Sequence, residues 1–270
     1  MSGSTGEPSS RMTLGDVELA YERRGAGPLV VLVHGLAQDH SIWSNIVAEL
    51  PNSTTLTYDI RGHGESSLGN ADGTLTQLAD DLIALLEQVG PAICVGFSLG
   101  GTIVLHAAAS RPDLVTAVVA VATSSIVGRA AEAGLLERID TVASGNQDKI
   151  RELILQDSRG QLANPDVDLD ALVERRMLAI ADPAGYLNGA RAVVSMRVDS
   201  LQDRLASISC PVLIVNGEHD LWCPRRAAEI MMEQLPAAKF VELEGVGHLI
   251  TDDNPQALLS VIRPWIEKVG

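Results

Sequence analysis

Short apolar runs alternate with longer stretches of helical spacing over most of this chain. Val17-Glu18-Leu19-Ala20-Tyr21 alternates apolar with polar and predicts an antiparallel edge strand. Gly25-Ala26-Gly27-Pro28 predicts a turn. Leu29-Val30-Val31-Leu32-Val33 is continuously apolar, as expected of a strand covered on both faces. Residues 54–58 predict a further strand. Thr74-Leu75-Thr76-Gln77 fits a helix-opening capping box, and Leu78, Leu82, Leu85 and Leu86 then form one helical stripe. Residues 92–95 predict a strand. Residues 99–110 predict a helix, with Ile103, Val104 and Ala107 at helical spacing. Strands are expected again at 115–122, 212–215 and 240–243. Strands that alternate with helices predict an α/β fold with a mostly parallel sheet flanked by helices.

The alternation lapses between residues 123 and 202. That stretch carries only helical patterns: Leu135-Leu136 with Ile139, Ile150 with Leu153-Ile154, Leu172-Val173 with Met177-Leu178. Asn164-Pro165 and Asp182-Pro183 punctuate them. The expectation is an all-helical cap at 124–202, inserted into a core domain formed by 12–123 and 203–270. Ligands in open parallel sheets bind beyond the carboxyl ends of the strands, where such an insertion would emerge as a lid. Residues 1–11 are Ser/Gly-rich without an apolar signal region, and are expected to be a disordered tail.

Composition narrows the function classes. A formal net charge of −15 argues against nucleic acid or anionic membrane as a partner, and leaves a small-molecule substrate. No apolar stretch reaches the roughly 20 residues that span a bilayer. Three cysteines, Cys94, Cys210 and Cys223, argue against a disulfide framework and for a reducing, cytoplasmic setting. No Cys/His spacing supports a metal site, and no cofactor is expected. A homo-oligomer stays open.

The candidate chemistry centres on Gly96-Phe97-Ser98-Leu99-Gly100, which fits the G-x-S-x-G pattern of a serine on a sharp strand-to-helix turn. Serine needs a base to take its proton, and the base needs a carboxylate to orient it and balance its charge. Three histidines follow Ser98: His106 inside the predicted helix, His219 beside the best acid candidate, and His248 in the loop Gly245-Val246-Gly247-His248-Leu249 after the last strand. His248 is the candidate base. The acid should follow the strand at 212–215; Asp220 is the candidate and Glu218 its rival. An oxyanion needs two preorganised N–H donors. Leu99 N–H is one candidate and Leu36 N–H, in His34-Gly35-Leu36-Ala37, the other. His34 and the loop Arg61-Gly62-His63-Gly64-Glu65-Ser66 read as structural. If the substrate carries a carboxylate, Arg129 at the start of the insertion is the candidate to hold it.

Together, His34-Gly35, Asp59-Ile60-Arg61-Gly62-His63-Gly64-Glu65-Ser66, Gly96-Phe97-Ser98-Leu99-Gly100-Gly101, Gly217-Glu218-His219-Asp220 and Gly247-His248 make the chain resemble α/β-hydrolases from about Val17 to its end. Residues 128–140 and 177–186 resemble the insertion of 3-oxoadipate enol-lactonases, which hydrolyse an enol-lactone in bacterial aromatic catabolism. Their oxyanion loop often reads Asn-Ser-Leu-Gly, where this chain has His34-Gly35-Leu36-Ala37. The resemblance implies a serine hydrolase that cleaves a carboxylic ester or lactone through an acyl-enzyme. A carbon–carbon hydrolase of ring-fission products, a cofactor-free perhydrolase and a slow-turnover ligand sensor stay open on the same residues. A dehalogenase would need aspartate at position 98.

Overall fold

A computed structural model of the chain describes residues 10–270. Eight strands form one sheet: β1 (Ser10–Leu14), β2 (Val17–Gly25), β3 (Leu29–Val33), β4 (Thr54–Tyr58), β5 (Ala92–Phe97), β6 (Val115–Val121), β7 (Val212–Gly217) and β8 (Lys239–Leu243). Their order is β1-β2-β4-β3-β5-β6-β7-β8. β1 and β2 run antiparallel, and every pairing from β4 to β8 is parallel. The helices are α1 (Ser44–Val47), α2 (Leu75–Val89), α3 (Leu99–Ser110), α4 (Arg129–Ala143), α5 (Gln147–Gly160), α6 (Leu169–Ala179), α7 (Pro183–Ser195), α8 (Arg225–Gln234), α9 (Ile250–Asp253) and α10 (Pro255–Val269). None among the described residues is long and apolar enough to cross a membrane.

The continuous apolar runs have the expected cause. Val31 and Val33 of β3 enter one core cluster with Leu78 and Leu82 of α2 and Ile103 of α3. Val30 and Leu32 enter the opposite one with Ile46 of α1 and Ile262 of α10. Both faces of the strand are therefore buried, and alternation of side chains shows no polar phase. α2 begins as the capping pattern predicts, with Thr74 Oγ1 accepting from Gln77 N at 3.2 Å.

Two expectations at the amino end are corrected. Residues 17–21 lie in β2, which is not an edge strand, because β1 pairs outside it. Ser10 and Arg11, expected in a disordered tail, belong to β1, where Arg11 pairs with Glu18 at 3.0 Å. The rest of the expected tail, residues 1–9, lies outside the described residues. β1 buries only Leu14, so its sequence carries almost no apolar signal.

Between β6 and β7 the chain is helical, from α4 to α7 and a 3₁₀ segment at Leu201–Ser207. Asn146, Asp168 and Asp182 cap three of these helices through their side chains. Ile139, Val142, Ile154, Val173 and Ile180 form a cluster of their own that also takes in Ala37, with Leu36 packed against it. Both belong to the loop after β3. The helices are pinned to the sheet side by Gly64 N donating to Ala179 O at 2.9 Å and Gly73 N to Asn188 Oδ1 at 2.8 Å. Gly185 lies so close to the Gly62 carbonyl that a Cβ there would collide with it. The end of this segment packs differently: Met196, Leu201 and Leu205 join the sheet's own core.

Asp59, fully buried at the end of β4, ties the loops together. It accepts from His40 N at 2.7 Å, from His40 Nδ1 at 2.8 Å and from Glu65 N at 2.9 Å. That hydrogen bond raises the His40 pKa from 6.5 to about 9 against the opposing effect of burial, with Asp39 and Glu22 adding to it. The folded state therefore keeps a proton that the unfolded chain loses. The stabilisation is whole below pH 6.5 and is lost as pH rises through about 9. His40→Gln should accordingly lower Tm most near pH 6, and the gap to wild type should narrow steadily toward pH 10. A gap that does not change with pH would remove His40 as the titrating group.

Candidate active site

β5 delivers Ser98 onto the turn into α3, with φ 52° and ψ −116°. A side chain rarely occupies this region, and holding it there costs about 1–3 kcal/mol. The surroundings fix it. Ser98 N donates to Val121 O at 2.9 Å, and Ser98 O accepts from Gly101 N at 2.9 Å and Thr123 Oγ1 at 2.7 Å. α3 can start so close to β3 only because position 100 is glycine; a Cβ there would strike the carbonyls of Val33 and His34.

His248 reaches Ser98 from the loop after β8. Its Nε2 lies 3.1 Å from Ser98 Oγ, and its Nδ1 lies 2.8 Å from Asp220 Oδ2. Asp220 is buried on the loop after β7, and its other oxygen accepts from Trp222 N and Cys223 N, both at 2.8 Å. Burial alone would raise its pKa. The adjoining His248 and the two backbone donors outweigh that and hold it below the ordinary carboxylate value. An ionised Asp220 accepting from Nδ1–H leaves Nε2 free to take the serine proton.

The structure thus brings Ser98, His248 and Asp220 together. Glu218 points elsewhere: it is half-exposed and accepts from Gly245 N at 2.8 Å, bracing the turn after β8. His219 is exposed. His106 is buried in α3, where its Nε2 accepts from Arg204 Nη1 at 2.8 Å. Leu36 N–H and Leu99 N–H have no hydrogen-bond acceptor among the described residues, and both side chains approach Gly189 of α7. His34 is structural: Nδ1–H donates to Gly35 O at 2.8 Å, and Nε2 accepts from Ile60 N at 2.9 Å. Arg61 is held by Asp81 and Asp16, which accounts for its loop without a ligand.

Arg129 is not brought to this group. It stands exposed in the first turn of α4, with no hydrogen bond or ion pair among the described residues. Another arginine of α4 is linked to the group by contact. Arg138 lies over the Trp222 ring at 4.4 Å, and Trp222 stacks on His248 with ring centroids 6.2 Å apart. Asp157 holds Arg138 through two bonds of 3.1 and 2.8 Å. Asp253 is a further residue that sequence reasoning missed. Its carboxylate accepts from Gly247 N at 2.5 Å and from Asn164 N at 2.7 Å, so it binds the His248 loop to the connection between α5 and α6. Neither role had a sequence signal, since both depend on chain segments far apart.

An Asp220 oxygen, a His248 nitrogen and Cys223 Sγ lie within 4.8 Å of one another, the spacing a metal ion would need. Both His248 nitrogens are already engaged by Ser98 and Asp220, and burial pushes the Cys223 thiol up, which keeps it protonated. The donor set fits an acid–base pair better than a metal centre.

Known proteins resemble the chain in sequence and fold over most of its length. The chain is 27% identical to 2-(acetamidomethylene)succinate hydrolase from Mesorhizobium japonicum, over 96% of this chain and 95% of that one. It is 28% identical to 3-oxoadipate enol-lactonase 1 from Acinetobacter baylyi, over 90% of each. The solved enol-lactonase of Burkholderia xenovorans LB400 shares the fold with a TM-score of 0.83 at 22% identity, covering 96% of this chain and 100% of that one. Residues 30–261 match the model of the alpha/beta hydrolase family. A match over that span, with the sheet order and the strained serine turn, places the conclusion beyond resemblance: the chain belongs to the alpha/beta hydrolase family.

Proposed function

We propose that the chain is a serine hydrolase that opens a small carboxylic ester or lactone through an acyl-enzyme. The observation that carries this is the unbroken line from Ser98 Oγ through His248 to Asp220, at 3.1 and 2.8 Å. Ser98 Oγ attacks the carbonyl carbon as its proton moves to His248 Nε2. Asp220 balances the imidazolium that forms. The developing oxyanion lies between the Leu36 and Leu99 N–H groups, which no acceptor among the described residues occupies. Collapse breaks the carbon–oxygen bond, and His248 returns the proton to the leaving oxygen. In a lactone that oxygen stays tethered to the acyl group. Water then repeats the sequence with His248 as base and frees Ser98.

The lactone reading draws on the 3-oxoadipate enol-lactonase relative. Its test is a panel of purified protein against short aryl esters, enol-lactones and carbon–carbon ring-fission products. Multiple turnover of esters and lactones, with none of ring-fission products, supports the reading. Turnover of ring-fission products alone, or binding with only a few turnovers, overturns it.

Ser98→Ala should lower kcat on the best ester about 10⁴-fold or more while the circular dichroism spectrum is unchanged, because nucleophile and base act as a unit.

Asp220→Asn should cost on the order of 10³- to 10⁴-fold in kcat through the wrong His248 tautomer. Glu218→Gln, at a side chain that braces the Gly245 turn and does not contact His248, should cost less than about tenfold. The reverse ranking in steady-state kinetics would move the acid role to Glu218.

A further inference from the structure

Arg176 on α6 is 5% exposed, yet has no carboxylate partner within hydrogen-bond or ion-pair distance among the described residues. Its Nη1 donates to Ser158 Oγ at 2.8 Å, and its Nε reaches the Ala37 carbonyl at 3.4 Å. Its Nη2 has no hydrogen-bond acceptor among the described residues. The nearby carboxylates are already taken. Asp157 accepts both bonds of Arg138, and Asp252 pairs with Arg175. Among the described residues this guanidinium thus remains buried without a carboxylate of its own, in a chain whose formal net charge is −15. A guanidinium does not escape by losing its proton, and burial without a counter-ion is strongly unfavourable. Anionic surroundings elsewhere in the chain make an excess cation here more conspicuous.

Its place gives the excess charge a use. Ala37, which Arg176 touches, follows Leu36 directly, so the guanidinium sits at the loop that supplies one oxyanion donor. Arg138, in the same group of charges, reaches the other side of the site through Trp222 and His248. Tyr186 of α7 is also buried here, and its hydroxyl has no partner among the described residues. It is a neutral donor, since burial pushes its pKa up to about 12.

We infer that Arg176, with the Tyr186 hydroxyl in the same buried region, is an anion subsite that takes a carboxylate carried by the acyl part of the substrate. The free edge of the guanidinium matches a carboxylate, and a ligand there completes the charge balance that the protein leaves open. The enzyme would then select esters and lactones bearing a carboxylate several bonds from the reacting carbonyl. This rests on the serine-hydrolase reading and adds the substrate class to it. The subsite lies deeper in the helical segment than Arg129, which is exposed.

The test compares 4-nitrophenyl hydrogen glutarate with neutral 4-nitrophenyl butyrate, and measures glutarate binding separately by thermal shift. Wild type should prefer the anionic ester, chiefly through KM, and lose that preference as salt is raised. Arg176→Met should lower the ratio of the two kcat/KM values about tenfold or more, and Arg176→Lys should recover part of it. Glutarate should raise the Tm of wild type and not that of Arg176→Met. Equal losses on both esters would show a merely structural residue and overturn the subsite. Should Arg176→Met fail to fold, the wild-type ratio decides alone, and a preference for butyrate overturns the proposal. Lack of turnover of either ester would instead count against the serine-hydrolase reading, with the glutarate shift still reporting on Arg176.

Discussion

The backbone at Ser98 is the constraint around which this molecule is organised. A non-glycine residue held at φ 52° does not keep that conformation unless its surroundings leave no alternative. Here β6 receives its N–H, α3 and Thr123 engage its carbonyl, and β3 closes against Gly100. All of these need the parallel order β3-β5-β6 in the centre of the sheet. The strain has a consequence for chemistry. A serine on a relaxed helix or strand would lie along the element; on this turn it stands at the carboxyl end of β5, where the loops after β3, β7 and β8 converge.

Charge placement around that point follows a second rule: among the described residues, each buried ion is balanced locally, except at Arg176. Asp220 is balanced by His248 and two backbone donors. Asp59 is balanced by His40, and Arg61 by Asp81 and Asp16. Asp253 uses backbone N–H groups from two loops. Against this background the unpaired guanidinium of Arg176 stands out as a feature that a ligand completes. The strongly negative surface makes such a local device necessary for any anionic substrate, because the long-range field repels it.

Much of this was legible in the sequence, for physical reasons that can be named. Strands buried on both faces, such as Leu29–Val33, leave an apolar run that no surface segment would carry. The glycines flanking Ser98 mark a turn that larger residues cannot make, and His248 is set apart by its glycine-rich loop beyond the last strand. Asp220 was separable from Glu218 only as a preference. The structure shows why: the two carboxylates point to different sides of one loop, and direction is not written in spacing. β1 escaped because a five-residue edge strand with one buried side chain has no periodicity to detect. Arg129 stands near β6 in sequence, whereas Arg138 and Arg176 approach the site through packing between helices. Which arginine is buried, and which lacks a partner, depends on contacts between α4, α5, α6 and the loop after β3. No linear pattern encodes them.

The central claim is that Ser98 alone among the serines is activated, through His248 and Asp220. It is tested most directly by treating the protein with an aryl fluorophosphonate and locating the adduct by peptide mass mapping. The account predicts one adduct per chain, on the peptide that carries Ser98, formed much more slowly in Asp220→Asn. An adduct on any other serine, or no adduct on the folded wild-type protein, would contradict it.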